Sequence, residues 1–214
     1  MIPRNEIHLW LGTADTSRGI MARYMRAVPA ALKFSRGEFG KPRIEPFGSG
    51  APSFSRSHTG RLHLLALSAN SDCNAIGADL LDVAALRGMR EPSSRELLHD
   101  FFPQTDVSQH SDDACALLFA RLWSQCEALL KASGCGLNAG GIPTECCGVE
   151  TPEGAWRGVT FNGVEMQLVD FQIDADFHAA IAVPAAAVSR RLRFFAAENS
   201  AVPIEKIEAG APAR

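Results

Sequence analysis

Residues 121–137, RLWSQCEALLKASGCGL, place a carboxylate, Glu127, and an ammonium, Lys131, one helical turn apart on a stretch otherwise apolar enough for a core. Such a pair reads either as a surface ion pair contributing about 0.2–0.5 kcal/mol or as charge presented to a cleft. A second carboxylate, Asp79, sits in AIGADLLDV (75–83) between apolar neighbours. It is costly there unless it is paired or holds a cation. His58 and Ser57 lie in FSRSHTG (54–60), and Lys41 lies in FGKP (39–42). Taken singly, His58 reads as a loop histidine bonded to backbone, and Lys41 as a solvated turn residue before a proline.

The elements that must carry these groups follow from periodicity and punctuation. Cys115, Leu118, Phe119, Leu122, Cys126, Leu129 and Leu130 share one helical face. The spacing predicts a helix from about Ala114 to Ser133. Asp112 and Asp113 suit its first turn, where the dipole favours anions, and Gly134 suits its C-cap. On that helix Glu127 lies at the flank of the core face and Lys131 opposite it. Buried strands are predicted over Ile7–Leu11, Leu62–Ser68 and Ala75–Val83. A short helix follows Thr16 or Ser17, and a Ser93/Glu96 capping box opens another that Pro103 stops. Residues 35–60 are rich in Gly, Pro and Ser and read as a long loop of the kind that often carries function. Strands recur around Val159, over Val164–Ile173 and over His178–Val183. HLLALS (63–68) and HAAIAV (178–183) hint at an internal duplication.

A chain of 214 residues with net charge −3 buries a sizeable core and lacks the clustered positive charge of a nucleic-acid binder. Its six cysteines show neither a C-x-x-C pair nor zinc-site spacing to histidine, and read as reduced, partly buried thiols. The opening residues lack a long apolar signal region, and no run approaches eighteen apolar residues. The expectation is a soluble cytoplasmic protein. Asp174 and Asp176, like Asp112 and Asp113, are spaced as metal ligands but equally as turn and cap residues. His8, His63, His99, His110 and His178 carry no companion signal and read as structural.

In their order and spacing, FGKP, FSRSHTG, IGAD (76–79) and WSQCEALLKASGCGL (123–137) resemble the 4′-phosphopantetheinyl transferases, in the larger two-lobed type. That family shows G-K-P, F-N-x-S-H-S, G-x-D-x-E, and a tryptophan-led K-E motif ending in G-x-G-L. The resemblance covers residues 30–185. It implies an α+β fold of two similar lobes, each a helix on a small antiparallel sheet, with expected boundaries at 1–105 and 106–195; the Ala-, Pro- and Glu-rich composition of 196–214 reads separately as a mobile tail. It implies transfer of the phosphopantetheine arm of coenzyme A to a serine of an acyl or peptidyl carrier protein. Asp79 and Glu127 match the family's Mg²⁺ ligands. Glu127 also serves as proton acceptor, and Lys131 steadies phosphate charge. Lys41, Ser57 and His58 match positions at the coenzyme A phosphates. A monomer is expected, since two lobes supply both sides of the cleft, with no nucleic-acid or membrane partner.

Three departures qualify the match. Leu81 stands where a second acid is usual; water fills that position in some members, and Asp82 points to the other strand face. Cys126 replaces a lysine and is expected to be buried and unreactive. The stretch before Gly40 is short, leaving Arg18, Arg23, Arg26, Lys33, Arg36 and Arg43 as candidates for the 3′-phosphate. Arg56 adds a cation beside His58. A degenerate member that binds coenzyme A or a carrier without turnover is the competing reading, and a chance match to an unrelated α+β binding domain is the third.

Overall fold

The computed structural model describes residues 2–45, 51–69, 75–136, 141–144, 147–149, 151–185 and 191–197. The tail expected at 196–214 lies almost wholly outside them. Two four-stranded sheets face each other, each with a helix on its outer side, in an α+β architecture.

The first sheet has the order β10-β1-β5-β4, built from β1 (Glu6–Gly12), β4 (Ser53–His58), β5 (His63–Ser68) and β10 (Arg191–Ala196). The second has the order β6-β9-β8-β7, built from β6 (Gly77–Asp82), β7 (Arg157–Phe161), β8 (Val164–Asp174) and β9 (Phe177–Pro184). A two-stranded hairpin, β2 (Lys33–Arg36) and β3 (Pro42–Glu45), stands apart. Period-2 alternation decides what each sheet buries. Ile7, Leu9 and Leu11 of β1 and Leu64 and Ala66 of β5 turn inward against Ala78, Leu80, Val169, Phe171, Ala179 and Ile181 of the second sheet. On the outer side of the first sheet, Leu65, Leu67 and Phe54 pack under Ile20, Met21 and Ala22 of helix α1 (Ser17–Met25).

The outer side of the second sheet carries the long helix α4 (Asp112–Ser133), flanked by α2 (Val83–Gly88) and α3 (Ser94–Phe101). The predicted start and stop of α4 hold. Ser111 accepts a hydrogen bond from Ala114 N, Asp112 and Asp113 occupy the first turn, and Gly134 caps the end at φ 75°. The capping box of Ser93 and Glu96 is formed. Thr16 makes no side-chain cap on α1; Asp15 Oδ1 accepts from Ser17 N instead.

Three features differ from expectation. Residues 35–60 contain half of β2 and all of β3 and β4. Their burial comes from contacts with other elements, which a Ser- and Gly-rich composition conceals. The first sheet is not wholly antiparallel, because β10 pairs with β1 in parallel. Sheet membership also crosses a cut at residue 105. Strand β6, ahead of it, pairs with β9, while β10 returns to β1. Among the described residues, no helix is long and apolar enough to cross a membrane.

Candidate active site

The seam between the two sheets is made by side chains. Strands β4 and β6 are edges of different sheets and lie side by side. Ser55 and Ser57 alternate inward on β4. Their hydroxyls accept from Ala78 N (3.0 Å) and Leu80 N (3.2 Å), so alternate N–H groups of an open edge are satisfied without a backbone ladder. The next residue on β6, Asp79, projects to the α4 side between them. Its Oδ1 accepts from Ser57 Oγ at 2.8 Å and from Lys131 Nζ at 2.6 Å.

Helix α4 approaches β6 closely enough to exclude any side chain at Gly77: a Cβ there would stand 1.8 Å from Ala128 O. This contact sets Glu127 and Lys131 beside Asp79. Trp123 holds the outer flank of the helix, stacking on Phe119 and meeting Phe101 of α3 edge-on. Beyond α4, Gly134 and Gly136 both take positive φ, and their Cα hydrogens face Lys41 and Phe39. A Cβ in the left-handed region would be strained at either position. The two glycines thus fold the chain against the FGKP strip.

A cavity of about 450 Å³ opens here, within the range of small-molecule sites. Its walls include Lys41, His58, Glu127 and Lys131, joined by His63, Phe39 and Arg56. Asp79 is 5% exposed beneath Lys131, and Glu127 is half-buried. Burial raises the Asp79 carboxyl above its ordinary range, with the Lys131 ammonium opposing. Burial also raises Glu127, the Asp79 charge adds to it, and Lys131 again opposes. Two desolvated carboxylates sharing one lysine leave the site short of positive charge. That donor set suits a hard divalent cation.

The six residues singled out from the sequence therefore gather at one place, with two qualifications. Ser57 borders the cavity, but its hydroxyl is engaged with Asp79 and Leu80. Lys41 Nζ donates to Ile76 O (3.0 Å) and Ala132 O (3.4 Å), tying the FGKP strip to β6 and the end of α4. Leu81 packs against the cluster of α2, α3 and α4 and is no ligand. Cys126 is buried as expected, with its Sγ 2.8 Å from Cys147 Sγ, and both are free thiols. Arg56 reaches across the mouth to Asp15 at 3.3 Å. Of the basic residues held in reserve, Arg18 and Arg36 line an adjoining cavity with Arg56. Sequence reasoning passed over His63, which stacks on His58 at 5.4 Å across the hairpin. The short spacing from His58 to His63 around Gly60 was the available signal.

Comparison with known proteins supports the same reading. Residues 75–182, half the chain, match the 4′-phosphopantetheinyl transferase superfamily. A Synechocystis protein named “Putative 4′-phosphopantetheinyl transferase” is 31% identical over 126 residues, which cover 58% of this chain and 48% of that protein. The match thus spans about half the length of that curated relative. The matched region begins just before β6 and ends within β9, so it contains Asp79, Glu127, Lys131 and the helix that brings them together: the chain belongs to the 4′-phosphopantetheinyl transferase superfamily.

Proposed function

We propose that this protein transfers the 4′-phosphopantetheine arm of coenzyme A to a serine hydroxyl of an acyl or peptidyl carrier protein, releasing adenosine 3′,5′-bisphosphate. The observation that carries the reading is the meeting of Glu127 and Lys131 on one cavity, with Asp79 buried beneath Lys131 and bonded to it, and both carboxylates pushed up by burial. Asp79 and Glu127 would hold Mg²⁺, which neutralises pyrophosphate charge and steadies the leaving group. Glu127 has no hydrogen bond or ion pair among the described residues, and its raised pKa suits a proton acceptor for the carrier serine. Lys131 stabilises charge developing on the phosphates. His58, from β4, and Lys41, beside the end of α4, line the same cavity and would face the same ligand. Ser57 positions Asp79. The adjoining cavity with Arg18, Arg36 and Arg56 receives the 3′-phosphate end of coenzyme A. We read the chain as a cytoplasmic monomer of the two-lobed type, with no nucleic-acid or membrane partner.

Incubation with an apo carrier protein, coenzyme A and Mg²⁺, followed by intact-mass spectrometry, tests the reading. The carrier is expected to gain the mass of one phosphopantetheine arm. Leu81, a core residue where the family usually has an acid, favours a second reading: a member that binds coenzyme A or a carrier without turnover. Magnesium-dependent coenzyme A binding with no mass gain on any carrier would select it.

A further inference from the structure

Outside the cavity, a second group of ligating side chains lies under the first half of α4. Glu153, Asp170 and His178 each offer one atom, and these atoms all lie within 4.8 Å of one another. His178 is fully buried on β9, Asp170 is 2% exposed on β8, and the Glu153 side chain reaches solvent. Among the described residues, His178 Nε2 has no hydrogen-bond partner. It stands 3.6 Å from Asp170 Oδ2 and 3.8 Å from Glu153 Oε1. Both distances are too long for an N–H···O bond.

The surrounding hydrogen bonds assign the tautomer. Ser124 has one hydroxyl proton, and at 3.1 Å it donates this to Arg121 O. Its oxygen, 3.2 Å from His178 Nδ1, is then left to accept. Nδ1–H then donates to Ser124, and Nε2, buried and without a hydrogen-bond partner among the described residues, is the ring atom turned toward two carboxylates. Two carboxylate oxygens and an imidazole nitrogen converge on one point, where a cation would satisfy all three. Ligands about 2.1 Å from a divalent ion stand roughly 3.0–3.5 Å apart; the histidine-to-carboxylate separations here, 3.6 and 3.8 Å, are slightly wider and close on an ion with a small shift of the solvent-facing Glu153. A helix hydroxyl bonded to the far nitrogen is the outer-shell support that metal-bound histidines use.

We propose that Glu153, Asp170 and His178 bind a divalent transition ion of the Mn²⁺–Zn²⁺ class, separate from the Asp79–Glu127 site. Imidazole nitrogen among carboxylate oxygens favours these ions over Mg²⁺. Arg121 does not fill the position. Its Nε donates to Asp170 Oδ2 at 2.7 Å, its guanidinium also reaches Thr151 O at 2.6 Å, and Gln125 takes Asp170 Oδ1 at 3.0 Å. Glu153 gives the ion its solvent-facing side. The ion joins residues 151–154 to β8 and β9 beneath the helix that carries Glu127, and its role is structural.

The test uses Mn²⁺, because the cysteine thiols would compete for Zn²⁺. An Asp79→Asn/Glu127→Gln background removes the first pair of carboxylates. Loss of the free-ion electron paramagnetic resonance signal then counts bound Mn²⁺. One equivalent is expected in that background, with a rise in Tm, and none after adding Glu153→Gln or His178→Gln. No binding at millimolar Mn²⁺ in the background protein overturns the proposal, as does retention in either added variant. If His178→Gln fails to fold, the partly exposed Glu153→Gln decides.

Discussion

Asp79 and Asp170 occupy equivalent positions and have opposite fates. Both pair in register with Ala180, one from β6 and the other from β8, so they flank the same residue on the same face of the sheet. Each is buried, each is raised by burial, and each is bonded to a cation from α4: Lys131 for Asp79 and Arg121 for Asp170. What differs is the completeness of the partnership. Arg121 and Gln125 occupy both oxygens of Asp170, and Arg121 is anchored again at Thr151. Asp79 receives a serine and the tip of a flexible lysine at one oxygen, beside an open cavity with a second raised carboxylate. Arg121, fixed at both Asp170 and Thr151, makes a rigid pair that leaves Asp170 Oδ2 facing His178, whereas a point charge on a four-carbon stem can exchange partners. One aspartate is thus committed to structure and the other remains available for chemistry.

The sharpest way to break the comparison is at Glu127. Glu127→Gln is expected to lower transfer by about 10²–10⁴-fold, measured as the rate of carrier mass gain. Its effect on folding should have the opposite sign. A carboxyl whose folded pKa is raised contributes stability that is full below its unfolded pKa and lost as pH rises through the folded value. In metal-free buffer the variant should therefore match or exceed the wild type in Tm at neutral pH, and the difference should vanish in acid. The acid limb of the transfer rate should move to lower pH as Mg²⁺ is raised, because the ion and protons compete for Asp79 and Glu127, whose carboxyls burial raises in the metal-free protein. A Tm well below wild type at neutral pH would show Glu127 to be a structural residue.

Arg121→Leu and Lys131→Met extend the contrast to the cations. Removing Arg121 strands Asp170 in the interior and is expected to cost about 3–5 kcal/mol in chemical denaturation. Removing Lys131, whose side chain is 30% exposed, lets cavity water reach Asp79. It should cost clearly less stability than Arg121→Leu, yet reduce transfer. Equal stability losses would erase the distinction between the two sites.

Gly77→Ala tests the approach that brings α4 to Asp79. The added methyl would meet helix backbone at 1.8 Å, and backbone cannot rotate away. A loss of at least about 3 kcal/mol is expected, with transfer impaired in whatever protein remains folded. An alanine elsewhere on β6 does not make this contact, so the effect should be specific to the position.

Legibility from sequence follows the range of the interactions involved. Helix α4 was readable to its C-cap because the aspartates, the apolar period and Gly134 are local signals; its N-cap, Ser111, was not singled out. Asp79 was readable because a carboxylate in an apolar strand is uncomfortable on its own terms. Strands β2, β3, β4 and β10 were not, since their burial depends on partners distant in the chain. Ser57 was read as a ligand contact because the motif shows residue type and hides facing. His178 was set aside as structural; its companions at 121, 124, 153 and 170 come from α4, a loop and another strand, and no spacing along the chain announces them.

The two inward serines of β4 give the finest form of the comparison. Ser55 and Ser57 do the same work for β6, each accepting from one edge N–H, but Ser57 alone also donates to Asp79. Ser55→Ala and Ser57→Ala should each cost about 1 kcal/mol in stability. Only Ser57→Ala removes a group that fixes the Asp79 carboxylate, so it alone should lower transfer beyond what lost folding explains. If Ser57 positions a metal ligand, the loss should appear as a shift of the rate's Mg²⁺ dependence to higher concentration, recovered at higher Mg²⁺. Equal activity in the two alanine variants would reduce Ser57 to a seam residue and leave Lys131 as the neighbour that orients Asp79.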